Sequence, residues 1–231
     1  LKKAPLDEVI CQVRFPQILR IGEEKPVDFQ EQIRRRLPVL DVEREIEVRV
    51  PSQEISQPSA QASPPVFRFK SSDEKTIVSL APHFYALSTK VYTHWRDFLE
   101  FVQLVNNAAC AVYDLPYATR IGLRYVNRLT FENTQTNSVR DLWGIVRSEL
   151  TVLLRENCWD DPLEMLNQLL LAGEGDERLR LRMGFRKEDD PFFLLDFDCY
   201  VEGNKPLEEL MLLCNRFHDV IYRAFRWCIE D

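Results

Sequence analysis

The chain has 231 residues, 45% of them apolar and 29% charged, and carries 30 Lys and Arg against 37 Asp and Glu for a formal charge of −7. That length and apolar content suffice for a packed interior, either one large domain or two small ones sharing a core, and they exclude global disorder. Seven glycines and an acidic balance count against a glycine-looped nucleotide enzyme and against nucleic-acid binding through the overall field, leaving a polyanion only a local basic face.

Residues 6–14 (LDEVICQVR) alternate loosely around Val9, Cys11 and Val13 and predict a first strand that Pro16 ends. Asp28 is then a candidate cap for a helix over 29–37, with Phe29, Ile33 and Leu37 on one face, Arg34, Arg35 and Arg36 opposite, and Pro38 as its stop. Residues 43–50 (EREIEVRV) alternate strictly, with Ile46, Val48 and Val50 inward, as a strand with one wet face does. The stretch 51–65 is rich in Pro, Ser and Gln and offers little to bury, which predicts a mobile hairpin loop. Strands are predicted over 66–70, 75–81 and 84–92, the first pair joined by the polar turn 71–74. Thr93 caps a predicted helix over 94–113, whose stripe is Trp95, Phe98, Leu99, Val102, Val105, Ala109 and Val112, and Pro116 closes the first half.

The second half opens with a strand over 119–130 and a polar loop over 133–137. Ser138 then caps one helix running through Leu142, Ile145, Val146, Leu150 and Leu153. Strands are predicted over 162–172, 178–186 and 192–201, the first of them equally suited to a helix. The last helix starts at Pro206, with Glu208 and Glu209 in its dipole-favoured first turn and a stripe of Leu207, Leu210, Cys214, Phe217, Ile221, Ala224, Phe225 and Cys228.

Segments 76–113 and 192–228 share one layout: an alternating strand, a polar turn, then a long amphipathic helix of matching phase. Each follows a helix-sized segment and an extended one, carrying VRFP (13–16) or GLRYVNR (122–128). The expected fold is therefore α+β, with two tandem strand, helix, three-or-four-strand, helix units. Their antiparallel sheets would each be covered by a long helix in the helix-grip or TBP-like manner, and halves 1–116 and 117–231 would share one core.

The six cysteines are scattered without a C-x-x-C pair, which predicts reduced, buried thiols in a cytoplasmic protein. No run reaches the ~18 uninterrupted apolar residues of a membrane span, and residues 1–14 lack a signal-peptide layout. His83, His94 and His218 stand in no metal or nucleophile motif and are read as capping or packing groups. No metal and no cofactor is expected.

Two basic rows stand out. Alternation puts Arg120, Arg124 and Arg128 on one strand face, in steps of about 13 Å, with Gly122 and Val126 between them. A second row, Arg178, Arg180, Arg182 and Arg186, neighbours Asp196 and Asp198 in FFLLDFDCY. The rows can pair with carboxylates across strands, or can grip phosphate or acidic partner groups if the two halves join into one sheet. Asp196 and Asp198, ~6–7 Å apart on one face, also admit a paired-carboxylate reading, though without His or Glu at ligand spacing. Arg226 and Trp227 on the last helix are candidate partner anchors.

The segment RIGLRYVNR (120–128), the opening LKKAPLDEVICQVRFP, the middle F-x-F-x-S-x-D…V-S-L…Y…W-x-x-F and the closing HDVIYRAFRWCIED together resemble a sporadically distributed family of uncharacterised prokaryotic proteins. Its marks are a central GLRYxNR strand and a C-terminal FxWxIxD helix, although WCIED stands here where the family pattern carries WxITD. The resemblance supplies no catalytic residues; its patchy distribution implies mobile or defence-associated genes, including anti-phage and toxin–antitoxin modules.

The leading expectation is a non-enzymatic accessory or regulatory subunit of such a defence system, holding a protein partner encoded nearby, with homo-oligomers compatible. Three alternatives accompany it. One is a nucleic-acid-binding subunit using Arg120, Arg124, Arg128, Arg180 and Arg182. The second is a metal-dependent hydrolase or nuclease at Asp196 and Asp198. The third is a small-molecule sensor with an apolar pocket between helix and sheet.

Overall fold

Alternation of core-facing and open side chains builds a single nine-stranded antiparallel sheet, and the apolar sets of its inner strands are buried beneath helices, whereas those of the two edge strands are exposed. The computed structural model describes residues 4–43, 46–47, 61–62, 64–155, 163–173, 176–187 and 189–229. In chain order the elements are β1 (Leu6–Arg14), α1 (Leu19–Glu23), α2 (Val27–Ile33), β2 (Val39–Glu43), β3 (Ile46–Glu47), β4 (Gln61–Ala62), β5 (Val66–Lys70), β6 (Thr76–Ala81), β7 (Phe84–Thr89) and α3 (Trp95–Tyr113). They continue with β8 (Ala118–Thr130), α4 (Phe131–Thr134), α5 (Val139–Ile145), α6 (Ser148–Arg155), β9 (Glu164–Ala172), β10 (Glu177–Arg186), β11 (Phe192–Lys205), a 3-10 turn at Leu207–Glu209 and α7 (Leu210–Cys228).

The strand order is β2-β5-β6-β7-β1-β8-β11-β10-β9, with β3 and β4 as a separate two-stranded pair. Read outward from the β1–β8 seam, each side runs in the same way: first its opening strand, then its last strand, then the strands before that in reverse order. The seam is long and regular, with Val9 opposite Tyr125, Cys11 opposite Leu123 and Val13 opposite Ile121.

One buried cluster draws on both sides of the seam: Val9, Cys11 and Val13 of β1, Tyr85 and Leu87 of β7, Ile121 and Leu123 of β8, Phe193, Leu195 and Phe197 of β11. The long helices close over it, α3 through Phe98, Val102, Val105 and Ala109, and α7 through Leu210, Cys214, Phe217 and Ile221. Full burial of each such side chain is worth roughly 1.5–3 kcal/mol, so this shared layer is the main source of stability. The helices also meet each other: the Trp95 ring stacks on His218 at 4.4 Å, and its Nε1 donates to Asn215 Oδ1 at 2.7 Å. Among the described residues no helix is long and apolar enough to cross a membrane.

Several elements differ from the sequence-based expectation. The helix expected over 29–37 is α2, which begins earlier at Val27 and ends at Ile33; Asp28 lies inside its first turn and Pro26 holds the cap position. Helix α3 is capped at His94, not Thr93, without a side-chain bond, and ends at Asp114, whose left-handed backbone (φ 49°) cannot continue the helix. The helix expected after Ser138 is two helices. Ser138 does cap α5, accepting from the Asp141 amide at 3.1 Å. The chain then turns extended at Val146, which bridges to Ile229, before α6 begins. The loop expected over 133–137 begins with the second half of α4, and α1 is absent from the sequence-based expectation. Within the ambiguous segment 162–172, residues Glu164–Ala172 form strand β9. Of the strand expected over 43–50, Glu43 ends β2 and Ile46–Glu47 form β3. Residues 48–50, and most of the expected mobile loop (51–60 and 63), lie outside the described residues.

Candidate functional site

The sheet face away from the long helices gathers the two arginine rows. Strand β11 lies between β8 and β10, so Asp198 stands opposite Arg124 on one side and Arg180 on the other, and Asp196 stands opposite Val126 and Arg182. The side chains then reach diagonally. Arg124 forms a two-pronged pair with Asp196, Nε donating to Oδ1 at 2.7 Å and Nη2 to Oδ2 at 2.8 Å. Arg120 donates through Nη2 to both Asp198 oxygens at 2.9 and 3.0 Å, and through Nη1 to Gln12 Oε1 at 3.3 Å.

This geometry depends on Gly122. A Cβ there would stand 2.5 Å from Arg120 Nη1, so the missing side chain is what lets Arg120 fold flat along its own strand. The second row completes the pairs more loosely. Arg180 Nη1 lies 4.0 Å from Asp198, and Arg182 Nη1 lies 3.7 Å from Asp196. Both aspartates are buried, at 2% and 7% exposure, beneath the guanidiniums that neutralise them. Burial of such carboxylates is tolerable only because each is paired and hydrogen-bonded. The hydrogen-bonded Asp196 in turn holds the Arg124 guanidinium above its already high pKa.

Above these pairs lies a cleft of about 460 Å³, open to solvent and lined by Gln12, Arg14, Arg120, Gly122, Arg124, Arg180, Arg182, Asp198, Tyr200 and Glu202 with Ile10 at its edge. Tyr200 is its aromatic element. The guanidinium carbons of Arg120 and Arg180 sit 4.5 and 5.4 Å from the ring centre, and Arg180 Nη2 donates to the phenol oxygen at 3.3 Å. Arg180 Nε is buried without a hydrogen-bond partner.

Of the sequence-predicted residues, Arg120, Arg124, Arg180 and Arg182 thus come together around one cleft. Arg128 does not join them; its guanidinium lies 3.9 Å over the Phe192 ring. Arg226 and Trp227 stand on α7, which packs on the other side of the sheet. Trp227 is half exposed, with Arg147 5.0 Å over its ring and Arg147 Nε donating to its carbonyl at 2.6 Å. Sequence reasoning missed Arg14, Gln12 and Tyr200. The first two share a face with Ile10 by simple alternation along β1, but only the β1–β8 seam brings that face to Arg120.

The carboxylates at Asp196 and Asp198 are both engaged as ion-pair partners. Among the described residues no group of three His, Cys, Asp or Glu side chains converges as a metal site. Of the histidines, His218 packs against Trp95 and Tyr125, whereas His83 and His94 are exposed and His94 makes no side-chain capping bond.

Fold and site together define an α+β protein with one sheet face covered by helices over its inner strands and the other opened as an arginine-lined cleft. No protein-family model matches the chain, and no curated protein matches it.

Proposed function

We propose that the chain is a non-enzymatic binding subunit that takes an acidic segment of a protein partner into the arginine cleft. The observation carrying this reading is the charge imbalance there: five guanidiniums, Arg14, Arg120, Arg124, Arg180 and Arg182, face four carboxylates, Asp196, Asp198, Glu202 and, beside Arg124, Glu8. Arg180 and Arg182 stand too far from the aspartates for hydrogen bonds and keep donors for an incoming carboxylate, which a guanidinium fork matches in two-pronged geometry.

A compact acidic group suits the site better than a nucleic acid. Elsewhere on the sheet several basic side chains already have carboxylate partners: Arg68 with Glu43 at 2.6 Å, Lys70 with Asp41 at 3.2 Å, Arg186 with Glu164 at 3.0 Å. That leaves a pocket of positive charge without the continuous track a phosphate backbone calls for. Tyr200 is buried beneath two guanidiniums, so its ring offers no platform for a base.

The matching outward strand order on the two sides of the β1–β8 seam supports reading the chain as two tandem copies of one helix-covered unit. On the family resemblance, we assign the subunit to a prokaryotic defence-type system with its partner encoded beside it. The free cysteines among the described residues support a reducing, cytoplasmic setting.

The test is a binding titration of a glutamate-rich peptide against a single-stranded oligonucleotide of equal charge, at two salt concentrations. Peptide binding that weakens about tenfold or more in Arg180→Ala/Arg182→Ala supports the reading. Preferred oligonucleotide binding with a steep salt slope would replace it by the nucleic-acid one, and binding of neither would end it. Co-purification from the native host then identifies the partner.

A further inference from the structure

The sheet ends on one side in an edge that nothing described covers. Strand β9 runs for nine residues with one charged side chain, Glu164, and neither Pro nor Lys. Its leucines are open on both faces: Leu166 and Leu170 on the arginine side at 75% and 55% exposure, Leu169 and Leu171 on the helix side at 40% and 63%. The opposite edge, β2, is shorter and carries Asp41 and Glu43 among its five residues. Edge strands of proteins that stay monomeric are blunted by charge, proline or brevity, and β9 has only Glu164 at its first position.

The hydrogen-bonding groups of β9 that point away from β10 can be assigned. The Gly173 amide donates to Glu177 O at 3.2 Å and the Lys187 amide donates to Leu163 O at 2.8 Å, one bond at each end of the β9–β10 hairpin. Because bonded pairs alternate along an antiparallel ladder, the odd-numbered residues of β9 face β10 and the even-numbered ones point N–H and C=O outward. The Gln168 amide agrees, being held by the Asn167 side-chain oxygen at 2.7 Å and not by β10.

We propose that β9 pairs antiparallel with β9 of a second copy of this chain about a twofold axis at Gln168, joining two sheets into one. Only the register centred there overlaps all nine residues, and it sets even opposite even, as a bonded ladder demands. Leu166 then faces Leu170 of the second copy, and Met165 faces Leu171. The charges also complement. Glu164, already paired with its own Arg186 at 3.0 Å, faces the second copy's Ala172, a small residue beyond which Arg178 follows in the same row. This interface is independent of what the arginine cleft holds.

Sedimentation velocity and a register-specific cross-link test it on the full chain. The wild type should reach twice its 27.2 kDa mass as concentration rises. Gln168→Pro removes an outward amide while sparing the bonds to β10, and should weaken association about tenfold with the melting transition retained. Gln168→Cys places two Cα atoms about 5.5 Å apart across the axis, within disulfide reach, and should form a covalent dimer under mild oxidation. Leu166→Cys, about 13 Å from its own copy, should not. A monomer at all concentrations, a dimer indifferent to Gln168→Pro, or equal cross-linking of the two cysteine variants would overturn the proposal. So would a monomer whose edge takes up an unrelated extended peptide.

Discussion

The Sγ atoms of Cys11 and Cys214 lie 3.7 Å apart at the centre of the core, joining the seam strand β1 to helix α7 across the whole sequence. The contact and burial both push the Cys214 thiol well above its usual pKa, and burial raises Cys199 and Cys228 to about 12. Thiolate is the reactive form, so these groups are inert in the folded state. Alkylation at mildly alkaline pH, followed by peptide mass spectrometry, should label the half-buried Cys110 before Cys11, Cys199, Cys214 or Cys228. Denaturant should abolish that order; rapid native labelling of Cys214 would contradict the packing of α7.

Phe217 is fully buried one turn along α7 from that contact. Replacing it with Ala leaves a cavity under the helix and should cost about 3–5 kcal/mol. Urea unfolding checks this, and a loss below about 1 kcal/mol would mean that α7 does not lie where its stripe points.

Asp196 is 2% exposed and holds two arginines, Arg124 in a two-pronged pair. Asp196→Ala strands those charges and should destabilise by about 3–5 kcal/mol, at the low end because Arg124 retains partial access to solvent. Arg182→Ala, which removes only a 3.7 Å contact from the cleft wall, should cost below about 1 kcal/mol. Paired denaturation curves separate the two, and equal losses would count against a buried pair beneath an open cleft.

His218 sits between the Trp95 ring and the Tyr125 hydroxyl, 2.8 Å from its Nδ1. Burial lowers its pKa, opposed by the neighbouring Asp219, and burial keeps the Tyr125 phenol protonated. A neutral imidazole can accept that proton, whereas an imidazolium cannot. With the folded pKa below the unfolded value of about 6.5, the unfolded state binds more protons in between, so this contribution is full above that value and is lost as pH falls. Thermal melts of the wild type should therefore drop more between neutral and mildly acidic pH than those of His218→Gln.

The strands around the arginine rows were legible because one wet and one buried face impose a period of two on Arg120–Arg128 and Arg178–Arg186, and the Asp196 and Asp198 pairing followed from the same alternation. What stayed hidden was set by partners distant in sequence. The break between α5 and α6 arises where Val146 bridges to Ile229, a partner distant in sequence, with only Gly144 as a weak local mark. Gln12 and Arg14 reach the cleft only through the β1–β8 register. Strand β9 looked equally helical because its apolar residues face both ways, and its pairing with β10 decides the matter.

The position of β1 bears on how the protein is made. Its inner edge meets β7 early, but its outer edge waits for β8, whose own far side waits for β11. A nascent chain that has emerged through α3 can already assemble β5, β6, β7 and β1 under that helix, with the amides of β1 bare toward the missing half. At about 5–20 residues per second, translation leaves this edge open for seconds. On the ribosome, then, the future midline of the sheet is temporarily its rim, and chaperone contact or premature pairing between neighbouring nascent chains will concentrate at residues 6–14.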